Sequence, residues 1–236
     1  MTARHEIKRR KFLLTSTAAT GLFSVLGGPQ NSNGLGGEPS GQTTQQSSQA
    51  AEKVLSEMEA KGGNLLNVAR KDGQFLNLLI KAIRARSVLE IGTSHGYSAI
   101  WIGLGLEETG GKMTTIEILS ERVELAKQHE AQAGLSPRVT FLEGDAHKIV
   151  PTLEGPFDFV FFDADKDGQI DYFEKLYPKK LLPGGVIVAH NAIQRAPAMK
   201  KYLDLIGQHP EFDSVIVSLT ADDGFSVSYR HRVAAP

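Results

Sequence analysis

The sequence predicts a doubly wound α/β sheet, mostly parallel, that ends in an antiparallel hairpin. Three observations lead there. Short apolar, β-branched runs alternate with helical patterns between Val88 and Ala189, as βαβ units of a parallel sheet do. A glycine turn from Gly92 to Gly96 joins the first of these runs to a helix. Residues 214–218 and 224–229 read instead as two strands separated by a turn at Asp222-Asp223-Gly224, a composition suited to reversing the chain.

Taken in order, the first 28 residues look like a targeting signal. Arg4, Lys8, Arg9, Arg10 and Lys11 form a basic head, and a modestly apolar run follows from Phe12 to Leu26. That run is too short and too rich in Thr, Ser and Gly to make a stable membrane span. Arg9-Arg10-Lys11-Phe12-Leu13 resembles the twin-arginine export motif, which places the protein in the periplasm; a basic cytoplasmic N-terminus is the alternative. Residues 29–50 carry one charge and few apolar side chains, so they are expected to form a disordered linker. Residues 51–236 are long enough for one sizeable core. The chain has no cysteine and a net charge of −1, which excludes a disulfide framework and gives no global field for nucleic acid.

Within that domain, residues 51–60 and 73–83 are expected to be helices preceding the first strand. Strands are expected near 88–91, 113–117, 139–143, 157–162 and 186–189. Gly92 and Gly96 let the backbone turn sharply and approach a ligand, and the helix after them presents unpaired N–H groups. The spacing Glu90-x-Gly92-x-x-x-Gly96 departs from the G-x-G-x-x-G of dinucleotide folds. Glu90 would repel a pyrophosphate but suits a cationic amino acid. Glu117 closes the second strand at roughly the distance, about 20 residues, at which nucleotide folds place a carboxylate on ribose hydroxyls. A solvated Glu opening the next helix is the alternative.

Phe157-Asp-Phe-Val-Phe-Phe-Asp-Ala-Asp-Lys166 carries the chemistry. Its strand delivers Asp163 at the carboxyl end, where ligands bind in open α/β sheets. The next strand delivers His190 and Asn191 to the same edge. Asp163, His190 and Asn191 therefore form an O/N/O set able to hold a divalent metal, although each alone is as readily a cap, a turn former or a polar edge residue.

Together these marks resemble the cation-dependent O-methyltransferases, a class I S-adenosylmethionine-dependent family that includes the caffeoyl-CoA and catechol enzymes. The matching segments are Glu90-Ile-Gly-x-x-x-Gly-Tyr-Ser98, Glu117, Gly144-Asp-Ala146, Asp163-Ala-Asp-Lys166, Leu182-Pro-Gly-Gly185 and Asn191, and the likeness spans residues 65–229. It implies a Rossmann-like sheet whose antiparallel end is that family's variation. It also implies Val68, Glu90, Gly92, Thr93 and Ser98 at the methionine end of the cofactor, Glu117 on ribose and Ala146 near adenine. Asp163 would face metal and cofactor, and Lys166 would sit beside the acceptor hydroxyl. Lys166 could take the acceptor's proton if buried beside the cation, and Asp163 and His190 are the other catalytic candidates. A small aromatic hydroxylated acceptor and a homodimer are implied as well, with acceptor loops at residues 64–71 and 192–198.

His190 departs from the family pattern, which has an Asp there. Imidazole in place of carboxylate weakens magnesium and better tolerates manganese, iron, cobalt or zinc. Two alternatives stay open at this point. His190 could act as a base without metal, or the chain could be an exported binding protein that holds a ligand on this fold without catalysis.

Overall fold

The computed structural model describes residues 40–62 and 68–232. The expected export segment, residues 29–39 of the expected linker and residues 64–67 of one acceptor loop lie outside the described residues. Seven strands form one sheet: β1 Ser87–Ile91, β2 Lys112–Glu117, β3 Val139–Glu143, β4 Phe157–Phe162, β5 Leu181–Ala189, β6 Phe212–Ser218 and β7 Gly224–Arg230. Their order is β3-β2-β1-β4-β5-β7-β6. All pairs through β5 are parallel, while β7 runs antiparallel between β5 and β6. The expected fold class is the one observed.

Among the described residues seven α-helices pack on the sheet: α1 Ser40–Ala60, α2 Arg70–Ile83, α3 Tyr97–Thr109, α4 Ser120–Gln132, α5 Ala146–Ile149, α6 Gln169–Leu176 and α7 Ala196–Gly207. Strand β4 explains why both faces need covering. Phe159 and Phe161 enter the core shared with α1, α2 and α3, while Val160 and Phe162 enter the core shared with α6 and α7. Successive side chains point to opposite faces, so a strand apolar at every position from Phe159 to Phe162 has to be buried twice.

Residues 40–50 correct the expected linker, because they form the first half of α1. Their composition is polar, but Ala51, Val54, Leu55 and Met58 of the same helix are buried in the core. Extending a nucleated helix costs far less than starting one. Ser47 is itself buried, and its hydroxyl donates to Glu107 on α3 at 2.5 Å. Among the described residues no helix is long and apolar enough to cross a membrane.

Helix α1 is thus part of the domain, and Leu55→Ala tests this. It should cost about 2–5 kcal/mol in urea denaturation, the usual range for a core leucine. A change within ±0.5 kcal/mol, as for a surface position, would show that α1 is not integral.

Candidate functional site

Three backbone hydrogen bonds run past the strand ends and align the loops beyond them. Gly92 N–H donates to Ile116 at 2.9 Å, Asp163 N–H to Ile91 at 2.8 Å, and His190 N–H to Phe162 at 3.0 Å. Glu117, Gly92, Asp163 and His190 therefore stand side by side along the carboxyl edge of β2, β1, β4 and β5. The chain order reverses between β1 and β4, the position at which open α/β sheets bind ligands. A cleft of about 860 Å³ opens there, lined in part by Gly92, Glu117, Ala146, Asp163, Lys166, His190 and Asn191. Val68, Thr93 and Ser98 line a narrow cavity that shares Gly92 and Asp163 with it.

Gly92 has φ +101°, and a Cβ there would lie 2.7 Å from backbone atoms of Asp163 and Ala164. Only glycine lets the loops after β1 and β4 approach this closely. Beneath them, Glu90 is fully buried. Its carboxylate accepts from Ser98 Oγ and Thr115 Oγ1, each at 2.6 Å, and Thr115 also bonds Thr93. Burial pushes Glu90 up to about 7, although the two hydroxyls oppose the rise. Glu117 is held by the backbone instead. It accepts from the N–H groups of Ser94 at 2.8 Å, Ile118 at 3.0 Å and Leu119 at 3.1 Å, and these bonds fix the carboxylate at the cleft wall.

On the acceptor side, Asp163 Oδ1 receives Lys166 Nζ at 2.8 Å and faces His190 Nδ1 at 3.0 Å. His190 Nε2 lies 3.6 Å from Asp72 Oδ2, a charge contact longer than a hydrogen bond. Burial opposes the charged imidazolium, but the two carboxylates outweigh it and push His190 up to about 9. At neutral pH the ring accordingly holds its proton in this arrangement, which disfavours a metal-free role as base. Asp163 is depressed despite its burial, by His190 and Lys166.

Asn191 adopts a left-handed backbone with φ 63°, a conformation Asn tolerates better than most residues. Its Nδ2 donates to Asp223 Oδ2 at 2.5 Å. Asp223 Oδ1 also accepts from Gln194 N–H at 3.1 Å and Gly224 N–H at 2.8 Å. The carboxylate of the hairpin turn thereby ties down the start of the loop at residues 192–198. A second network closes the far wall of the cleft. His147 stacks on Tyr172 with ring centroids 4.4 Å apart, and its nitrogens meet Asp171 at 2.5 Å and Asp165 at 3.3 Å. Tyr172 donates to Asp165 at 2.5 Å.

The structure gathers the expected site residues at this edge of the sheet, except that Glu90 lies within β1 and lines neither cavity. Sequence reasoning missed Asp72, Thr115, His147 and Asp223, which carried no motif. The donor chemistry fits a divalent ion at Asp163, His190 and Asn191. The 3.0 Å between Asp163 Oδ1 and His190 Nδ1 is a hydrogen-bond distance, so these two groups are paired with each other. Among the described residues no three His, Cys, Asp or Glu side chains gather as a metal cluster, so an ion here relies on the Asn191 amide.

The profile of the O-methyltransferase family matches residues 42–229. A catechol O-methyltransferase of Mycobacterium tuberculosis is 34% identical over 175 residues, which cover 68% of this chain and 79% of that protein. Caffeoyl-CoA O-methyltransferase 2 of Zea mays is 38% identical over 148 residues, 60% of this chain but only 55% of that protein; the chain spans little more than half of the maize enzyme. Among solved structures, an O-methyltransferase from Bacillus cereus in complex with SAH superposes with a TM-score of 0.69 at 30% identity, covering 77% of this chain and 90% of that one. Cofactor-bound Rv0187 from MTB gives 0.67 at 32%, covering 84% and 93%. With most of its length inside the family profile and its sheet order and cleft in keeping, this chain belongs to the O-methyltransferase family.

Proposed function

We propose that the protein transfers a methyl group from S-adenosylmethionine to a hydroxyl of a small catechol-like aromatic acceptor, assisted by a divalent ion. The reading is carried by one observation: Glu117, Gly92, Asp163 and His190 stand in a row at the switch point, above a buried Glu90. Glu90 lies under the glycine turn without a cation among the described residues, so the donor's ammonium is the charge it is suited to accept through Ser98 and Thr115. Glu117, held by three backbone N–H groups, keeps one of its roughly four lone-pair positions, on Oε2, for a ribose hydroxyl. Ala146, at the start of α5, leaves room for a flat base beside it. The Bacillus relative was solved in complex with SAH, which supports the same donor here.

Alignment is the main contribution the protein has to make, because a sulfonium methyl group is intrinsically reactive. Asp163, His190 and Asn191 would hold the ion, which supplies acidification and positioning of a chelated hydroxyl. Lys166 donates to Asp163 at 2.8 Å. As an ammonium it has no lone pair, so to act as the base it must first release a proton to solvent, and the neutral amine then takes the acceptor's proton. His190 favours manganese, iron, cobalt or zinc over magnesium. The arginine pair at positions 9 and 10 supports export by the twin-arginine route.

Incubating the full chain with S-adenosylmethionine and catechol tests the reading directly. Methylated product should form, vanish after EDTA treatment, and return more fully with manganese or cobalt than with magnesium. Tight SAH binding with no turnover on catechols under any metal would sink it and favour the non-catalytic binding protein.

Glu90 adds a pH signature. Its folded pKa lies above its unfolded value of 4.5, so the folded state holds the extra proton and stability falls as pH rises through about 7. Without donor, unfolding free energy should drop by on the order of 3 kcal/mol between about pH 4 and pH 8. Glu90→Gln should flatten that slope and weaken donor binding at least tenfold by calorimetry; an unchanged slope would refute the assignment. Replacing Arg9 and Arg10 with Lys should retain the protein in the cytoplasm of a bacterial host, as read by cell fractionation, whereas unaltered export would remove the twin-arginine reading.

A further inference from the structure

Helix α1 ends on a carboxylate that its own stability does not call for. Glu59 lies in the last turn of α1, where the helix dipole disfavours negative charge. Its Oε1 instead serves two elements of the narrow cavity at the methionine end of the donor site. It accepts from the Tyr97 hydroxyl at 2.6 Å and from Arg70 Nη1 at 2.8 Å. Tyr97 opens α3 directly after the glycine turn and lines that cavity. Arg70 opens α2 two residues after Val68, which lines it too. Arg70 also bonds Glu52, further back on α1, at 2.5 and 2.6 Å, and its guanidinium lies 5.5 Å from the centre of the Trp101 ring on α3. Three helices thus meet at one carboxylate oxygen. Tyr97 is 2% exposed; burial and the adjacent carboxylate raise its pKa, so the hydroxyl keeps its proton and donates.

We propose that Glu59 is a positioning residue for the methyl donor: by holding Tyr97 and Arg70 it fixes the starts of α3 and α2 around the donor's methionine end. This rests on the donor reading above and extends it to a residue of α1 that lines neither cavity. The path from Glu59 to the donor is short. Ser98 follows Tyr97 and donates to Glu90 at 2.6 Å, so a shift of Tyr97 displaces the hydroxyl through which Glu90 meets the donor's ammonium. Ion pairs as exposed as those of Arg70 with Glu52 and Glu59 add little to stability, so stability does not account for the arrangement. Binding does: a cavity whose walls are already held avoids the cost of ordering them when the ligand arrives.

Calorimetric titration of SAH into the full chain tests this. Glu59→Ala and Tyr97→Phe should each weaken SAH binding about tenfold, the loss expected for one hydrogen bond to a charged group, with urea denaturation reporting that each variant is folded. Tyr97→Phe, which keeps the buried ring, serves if Glu59→Ala does not fold. Glu52→Ala takes a carboxylate from Arg70 but leaves the Tyr97 bond in place. It separates positioning from a general loosening of α1, and should change SAH affinity by less than about twofold. Adding Tyr97→Phe to Glu59→Ala should weaken binding no further, because the bond it removes is already gone. Unchanged affinity in Glu59→Ala or Tyr97→Phe, equal weakening in Glu52→Ala, or additive losses in the double variant overturns the inference and leaves the donor reading standing. No SAH binding by the parent overturns both.

Discussion

Continuation of the sheet's hydrogen bonding beyond its strands is the constraint from which the site follows. The bonds from Gly92 to Ile116, Asp163 to Ile91 and His190 to Phe162 hold four loops in register at strand spacing, about 4.8 Å. Side chains that leave consecutive strand ends under this constraint have to share one cleft. Gly92 makes the register possible, since any side chain there would strike the backbone after β4. The aromatic strand β4, buried on both faces, supplies the rigidity that keeps Asp163 in place. Loop geometry is in this sense a product of sheet packing.

Negative charge then accumulates along that edge. Glu90, Glu117, Asp72, Asp163, Asp165 and Asp223 all lie on or under the cleft; Lys166, His190 and His147 pair with Asp163, Asp72 and Asp165, while Arg122 and Arg195 also line it. Burying like charges is unfavourable unless cations offset them. Glu90 responds by keeping its proton, and His190 by keeping its own. A cationic donor and a divalent ion would relieve the same imbalance, so the electrostatics of the empty fold and the chemistry proposed for it agree.

Much of this was legible before the structure. Five strands were legible as short runs and two as the arms of a terminal hairpin, and Asp163, His190 and Asn191 were legible because they come just after two of those runs. Boundaries were less so. The first helix reaches back to Ser40, through a Gln, Ser and Thr stretch that composition assigned to a linker, because Ser47 and the apolar residues after it pack against α3. Strand β5 likewise begins at Leu181 rather than near Val186, since Leu181 pairs with Phe157 across a register shift.

By itself the sequence determined the alternation of strands and helices and the residues at each strand end. Those depend on side-chain period and turn chemistry, which act between near neighbours. Only the tertiary structure decided what those residues touch. Thr115 under Glu90, Asp72 behind His190, His147 against Tyr172 and Asp223 on Asn191 come from helices, strands and turns distant in the chain. Such pairings depend on distances set once the whole sheet has assembled, and a charge or hydroxyl without local periodicity leaves no mark of its eventual partner.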